Sequence, residues 1–121
     1  MSEKPFPGYK EIIKQYPALK DVDVDLMGVE VSQLGIQVEL EKAEKGKEPS
    51  LISIALNVTT LIGSLDLINE EIERLFKKGK ITKEEYEKLK ETFDVRKASK
   101  YVREVLEKIE ERSQSQLEEV S

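Results

Sequence analysis

Apolar residues recur at alternating spacings of three and four along residues 51–76, and this heptad pattern is the strongest structural signal in the chain. A repeat of this regularity predicts a helix that buries one stripe against other helices. Ser50 is placed to cap its start and Gly79 its end, so we expect a helix over about 50–78. The heptad positions are Leu51, Ile54, Val58, Leu61, Leu65, Ile68, Ile72 and Leu75.

Residues 21–45 fit two different periods. Polar and apolar residues alternate in 21–26 and in 34–40, so one alternative is a β-hairpin within 21–41 and an α+β protein. The intervening residues lack the Asn-Gly or Asp-Gly sequence that tight hairpins prefer. The segment also runs into a strongly helical stretch that ends at Gly46, so we favour a helix over about 24–45. Its a and d positions are Val24, Met27, Val31, Leu34 and Val38. Gly28 and Gly35, seven residues apart, would share one face and allow close approach of a partner helix.

Three shorter helices complete the prediction. The N-terminal arm, residues 1–20, fits one short helix at about 8–16 that Pro17 ends. Thr82 and Glu85 form a capping box that starts a helix over 83–92. Asp94 can cap a last helix from 95 to about 112, after which the tail 113–121 loses the pattern and is expected to fray. The sequence therefore predicts one all-α domain over 1–121, a compact bundle of four to five helices.

The composition restricts the chemistry. The chain has no Cys and no His, which excludes disulfides and thiolate sites and removes the commonest general base and zinc ligand. Asp21, Asp23 and Asp25 resemble the start of a calcium loop, but Leu26 and Ser32 occupy the positions that require Gly and Glu. We therefore expect no enzyme, no metal, no cofactor and no small-molecule substrate. The charged fraction of 37%, rich in Lys and Glu, is typical of heat-adapted proteins.

Two features bear on the compartment. The N-terminus has no apolar segment behind a basic start, so a secretory signal is not predicted and we expect a cytoplasmic protein. The stretch between Glu48 and Asp66 is free of charge but barely long enough to cross a bilayer, and polar residues interrupt it. We therefore expect no membrane partner.

Charge is distributed unevenly. Residues 74–103 hold eleven basic and five acidic residues, a local charge of plus six in a chain of net charge −5. A short helix, a turn at residues 93–94 and a longer helix with a basic face outline a helix-turn-helix, so nucleic-acid binding is the alternative function. The acidic total and the lack of interleaved Asn or Gln argue against base readout. The candidate phosphate contacts are Lys77, Lys78, Lys80, Lys83, Arg96, Lys97, Lys100 and Arg103.

Residues 76–91, FKKGKITKEEYEKLKE, resemble the short C-terminal helical hairpins called SHOCT modules, which are associated with oligomerisation. The resemblance covers sixteen residues and implies a role in self-association. A helix that ends in Gly and is followed by a capping box produces the same pattern by helix physics alone, so no family is assigned.

The preferred function follows from apolar residues that lie outside the a and d stripes. Such a surplus predicts either a broad monomer core or a subunit interface. We therefore expect a small non-catalytic interaction protein, a homo-oligomer or accessory subunit that works through helix packing. The candidate interface residues are Leu26, Val29, Ile36, Leu40, Ile52 and Leu67.

Overall fold

The structure, a computed structural model, describes residues 4–120 and the side chains of residues 4–114. It is all-α, and residues 4–120 contain no strand. The helices are α1 Tyr9–Gln15, α2 Asp23–Glu44, α3 Leu51–Lys77, α4 Lys83–Thr92 and α5 Val95–Val120, with a 3-10 helix at Pro17–Val22. The predicted class is confirmed. The β-hairpin alternative within 21–41 is wrong, because that segment forms most of α2.

Local signals set the helix ends. The Ser50 hydroxyl accepts a hydrogen bond from the Ser53 amide at 3.1 Å, which caps α3. Thr82 and Glu85 form both bonds of the predicted capping box, at 2.9 and 3.0 Å, and start α4. Gly79 adopts a φ of 69°, a left-handed conformation that ends α3 at little cost for a residue without a side chain. α3 and α4 therefore begin and end close to the predicted positions.

The core lies between the α2–α3 pair and the remaining helices. α2 and α3 form the most extensive helix pair, and α5 contacts both. The heptad stripe of α3 is buried from Ile54 to Leu75 except at the half-buried Val58, whereas Leu51 at its start is 66% exposed. Fully buried side chains include Leu19, Val29, Ile36, Leu40, Leu61, Leu65, Ile68, Ile72, Leu89, Phe93, Ala98 and Val105.

A buried glutamine anchors the N-terminal arm. Gln33 on α2 accepts a hydrogen bond from the Phe6 amide at 3.0 Å and donates one to the Phe6 carbonyl at 3.4 Å. The Phe6 ring then stacks on Phe93, with ring centroids 6.4 Å apart. Both backbone polar groups of Phe6 are thus paired inside the fold, as buried groups require. The sequence patterns did not indicate this contact, because Gln33 looks like a surface residue.

The last helix is longer than predicted. α5 continues to Val120, whereas the sequence predicts its end near Arg112 and a frayed tail over 113–121. The extension contains Gln, Leu and Glu, which favour helix, and neither Gly nor Pro, which would stop it. Residues 1–3 of the predicted arm and Ser121 of the predicted tail lie outside the described residues.

Candidate interaction surface

Small residues bring α2 and α3 close together. A Cβ atom added to Gly28 would lie 2.5 Å from the Ser64 hydroxyl oxygen, and one added to Gly35 would lie 2.5 Å from an Asn57 side-chain oxygen. A Cβ would force the Ser64 hydroxyl to rotate away at Gly28, and the whole Asn57 amide group to move at Gly35, so the glycines allow the facing side chains to lie directly against α2. The predicted shared role of Gly28 and Gly35 is confirmed, and the partner helix is α3.

This contact line divides α2 into two apolar sides. Leu26, Val29, Ile36 and Leu40 lie on the core side and are at most 2% exposed. The residues of the predicted a and d stripe lie on the opposite side of the contact line, facing away from the core. Four of them are exposed and Met27 is half-buried; the exposed fractions are 69% for Val24, 62% for Val31, 46% for Leu34 and 48% for Val38. The heptad stripe of α2 is therefore its outer stripe.

α3 is divided in the same way. Its core stripe lies on one side of Asn57 and Ser64, and a second stripe lies on the other side. This second stripe consists of Ile52, Leu56, Thr59, Thr60, Gly63 and Leu67, all of them exposed. Its apolar members are 77% exposed at Ile52, 65% at Leu56 and 49% at Leu67.

The two outer stripes flank the same contact line and form one surface, which we call the outer face. It consists of Val24, Met27, Val31, Leu34 and Val38 on α2 with Ile52, Leu56, Thr59, Thr60, Gly63 and Leu67 on α3. None of these side chains carries a charge. Its two hydroxyls are already bonded within α3, because Thr59 donates to the Ala55 carbonyl at 2.9 Å and Thr60 to the Leu56 carbonyl at 3.1 Å.

The structure divides the six predicted interface residues. Ile52 and Leu67 lie on the outer face, but Leu26, Val29, Ile36 and Leu40 are core residues with no surface for a partner. The reason is that α2 carries a second heptad stripe, in which Gln33 is the polar member between Val29 and Ile36. Because Gln33 is bonded to Phe6, the fold can bury that stripe and expose the wholly apolar one.

Polar residues at the ends of α2 and α3 have partners. Glu39 is 3% exposed, and its carboxylate accepts hydrogen bonds from the Ser50 amide at 2.7 Å and from Lys42 at 3.2 Å. The bond from Ser50 is the main cause that lowers the pKa of Glu39. Glu71 is held by Arg74, with Nη2 to Oε2 at 2.7 Å, and this bond likewise lowers the pKa of Glu71. Of these contacts, the bond from the Ser50 amide to Glu39 joins α2 to the start of α3, whereas the other two lie within one helix.

The predicted phosphate contacts fall into two separate groups. Lys77, Lys78, Lys80 and Lys83 are exposed around the turn between α3 and α4. α4 then runs back along α3, as shown by the bond from Tyr86 to Glu73 and by the bond from Asn69 to the Phe93 carbonyl. At 1.5 Å per residue α4 separates that turn from the start of α5 by about 15 Å. The second group is Arg96, Lys97, Lys100 and Arg103.

Arg96 in the second group is engaged by Asp94. Its guanidinium contacts the Asp94 carboxylate at 2.7 Å and 3.0 Å, and the Arg96 amide donates to the same side chain at 2.9 Å. The Arg96 side chain and then its amide lower the pKa of Asp94 to about 2. Asp94 thus caps α5 as predicted, and part of the basic charge is compensated. Nucleic-acid binding stays a prediction that a gel-shift assay at low salt would test.

The fold and this surface define an all-α helical domain with an uncovered apolar face on one helical pair. Comparison with protein-family models, curated proteins and solved structures finds no match to the chain. Among the side chains that the structure describes, no three acidic residues lie close enough together to hold a metal ion. α3 is long and apolar enough to cross a membrane by length and composition, and 22% of its most apolar 18-residue stretch is buried.

Proposed function

We propose that this chain is a small non-catalytic interaction protein that binds the helical surface of a protein partner with its outer face. The observation that carries the proposal is the continuous, uncharged apolar surface that α2 and α3 leave outside the core. A helix that is apolar on two sides can bury both of them only if a second partner packs against the side that faces away from the core.

The size of the outer face supports a specific interface. Its seven most exposed apolar side chains leave on the order of 700 Å² in water, against about 300–600 Å² for the largest patch of an ordinary monomer. A standard protein interface buries about 800 Å² on each partner. The outer face therefore has enough area to form most of one such interface.

The polar groups of the outer face can be buried at low cost. Burial of a hydroxyl without a partner is unfavourable. Thr59 and Thr60 already donate to carbonyls of α3, so their methyl groups complete the apolar surface without leaving a donor unpaired.

A protein partner fits this face better than a lipid bilayer. To cross a membrane, α3 would have to leave the core, where Leu61, Leu65 and Ile68 are fully buried. Binding to the surface of an anionic membrane would use basic residues beside the apolar face. Asp66 and Glu70 are exposed beside it on α3 and would be repelled by such a membrane, and Lys45 is the basic residue exposed one heptad after Val38 at the end of α2.

Site-specific photo-crosslinking in cells tests the proposal. A photoreactive residue at position 56 is expected to form protein adducts at a yield at least about tenfold above the same residue at Ser99, which is exposed on α5. A second substitution, Val31→Asp, should abolish the adducts, because a charge in the middle of an apolar interface is strongly unfavourable. Equal yields at the two positions, or adducts with lipid only, would contradict the proposal.

A further inference from the structure

The end residues of each outer stripe lie at equal distances from the middle of that stripe. On α2, Val24 and Val38 lie seven residues on either side of Val31. On α3, Ile52 lies seven residues before Thr59, and Leu67 lies seven residues after Thr60. Each stripe therefore has a centre about which its end residues are paired, Val24 with Val38 and Ile52 with Leu67. Met27 and Leu34 have the glycines Gly35 and Gly28 at their symmetric positions.

The two centres are at the same level of the bundle. Gly28 lies against Thr60 and Ser64, and Gly35 lies against Asn57, so the helices run antiparallel. Val31, which lies between the two glycines, is therefore level with Thr60. One two-fold axis, lying in the plane of the face and perpendicular to the helices, can pass both centres at once.

The same axis pairs a large residue with a space. Leu56 lies three residues before Thr59, and Gly63 lies three residues after Thr60, so the axis places Leu56 opposite Gly63 of a second copy. Leu56 is 65% exposed, and a Cβ added to Gly63 meets no atom within 4 Å. A projecting leucine and an open glycine thus occupy symmetric positions and can interlock twice in a dimer.

We propose that the partner is a second copy of this chain, bound outer face to outer face about this two-fold axis. The inference rests on the proposed function, because it names the partner of the same surface. In the dimer, α2 packs antiparallel on α2 of the other copy and α3 on α3, with Leu56 of each copy over Gly63 of the other. An uncharged face can contact its own copy without like-charge repulsion, and an isologous contact buries the same area on both copies.

Sedimentation velocity of the full chain at micromolar concentration tests the arrangement with four proteins. The natural chain should sediment as a dimer. Gly63→Leu fills the space for the partner's Leu56 at two places, and should raise the dimer dissociation constant about 100-fold or more. Ser99→Leu adds the same side chain to an exposed site on α5 and should remain a dimer. Circular dichroism spectra of each variant serve as the control that it is folded.

The decisive protein is the exchange variant Leu56→Gly with Gly63→Leu, which reverses both members of each contact. The two-fold arrangement requires it to recover most of the affinity that Gly63→Leu loses. A dimer that Gly63→Leu leaves intact, or an exchange variant that stays monomeric, would overturn the arrangement.

The two proposals fail in different ways. A natural chain that is monomeric while position 56 crosslinks to a different protein overturns the second copy and leaves the proposed function standing. A monomeric chain that crosslinks to no protein and co-sediments with vesicles of neutral and anionic phospholipid overturns both.

Discussion

The two sides of the α2–α3 pair are both apolar but differ in what lies against them. On the core side, Ile36 and Leu65 are fully covered. On the outer side, Val31 and Leu56 are more than half exposed, and Gly63 has open space above it. The comparison shows that hydrophobicity along these helices exceeds what the bundle itself uses. Exposed apolar surface of this extent is what the proposed interface would cover.

Matched side-chain truncations on the two sides of α2 should give the largest difference in the free energy of unfolding. We expect Ile36→Ala to lower the free energy of unfolding by about 2–5 kcal/mol, because it leaves a cavity in the core. Val31→Ala should change it by less than about 0.5 kcal/mol, because the side chain is mostly in water. Urea denaturation measures both, in a Leu56→Asp background that cannot bind through the outer face. Equal losses would mean that the two sides are assigned wrongly.

Matched glycine substitutions should separate the contact line from the outer face. Gly35→Ala should destabilise the fold by about 1–3 kcal/mol, because the new Cβ would lie 2.5 Å from Asn57. Gly63→Ala should stabilise it by up to about 1 kcal/mol, because alanine favours helix and the site is open. The same Leu56→Asp background and urea titration apply. A stabilising Gly35→Ala would show that α2 and α3 are not closely packed there.

Glu39 tests how the loop between α2 and α3 holds the pair. Glu39→Ala should cost about 1–2 kcal/mol, because the Ser50 amide loses a charged acceptor at 2.7 Å. Glu41→Ala removes an exposed carboxylate of the same helix and is the control, with an expected change near zero. Thermal unfolding of both variants measures the difference. A loss of equal size in the control would contradict the role of the Ser50 contact.

The smallest change in stability is expected for a substitution at Asp94, which lies away from the outer face. This change depends on pH. Its folded pKa of about 2 lies below the value of about 3.9 for an unfolded aspartate. Its stabilising contribution is therefore present above pH about 4 and is lost as the pH falls toward 2. Asp94→Asn should be less stable than the natural chain at pH 7, and the difference should disappear near pH 2.

Urea titrations at several pH values measure the Asp94 effect. Glu87→Gln, an exposed carboxylate on α4, is the control. A difference for Asp94→Asn that stays constant between pH 7 and pH 2 would contradict the ion pair with Arg96.

Helix existence and the capped helix ends were predictable because their causes are local, whereas the end of α5, which no capping signal marks, was missed. Thr82 and Glu85 are three residues apart, and Gly79 needs only its own backbone conformation to end α3. Which stripe of α2 faces the core was not predictable from local signals. Its two heptad stripes have the same spacing, and the stripe interrupted by Gln33 is buried because Phe6, 27 residues away, satisfies that side chain.

The residues of the candidate surface were also predictable only in part. Ile52 and Leu67 are exposed, as an interface residue must be, because they lie outside the heptad stripe of α3, whose burial the regular repeat predicts. Leu26, Val29, Ile36 and Leu40 were misplaced because surplus apolar residues were assigned outward on α2 as well. The basic residues were grouped by sequence, although α4 separates the two groups along the bundle.

The sequence by itself determined an all-α chain, its capped helix ends and two helices with more apolar surface than one contact needs. These properties depend on propensity, spacing and caps, which act within a few residues. Only the tertiary structure decided which stripe of α2 faces the core, because that choice depends on distant partners for Gln33, Gly28 and Gly35. The outer face is therefore a property of the folded chain that no single segment specifies.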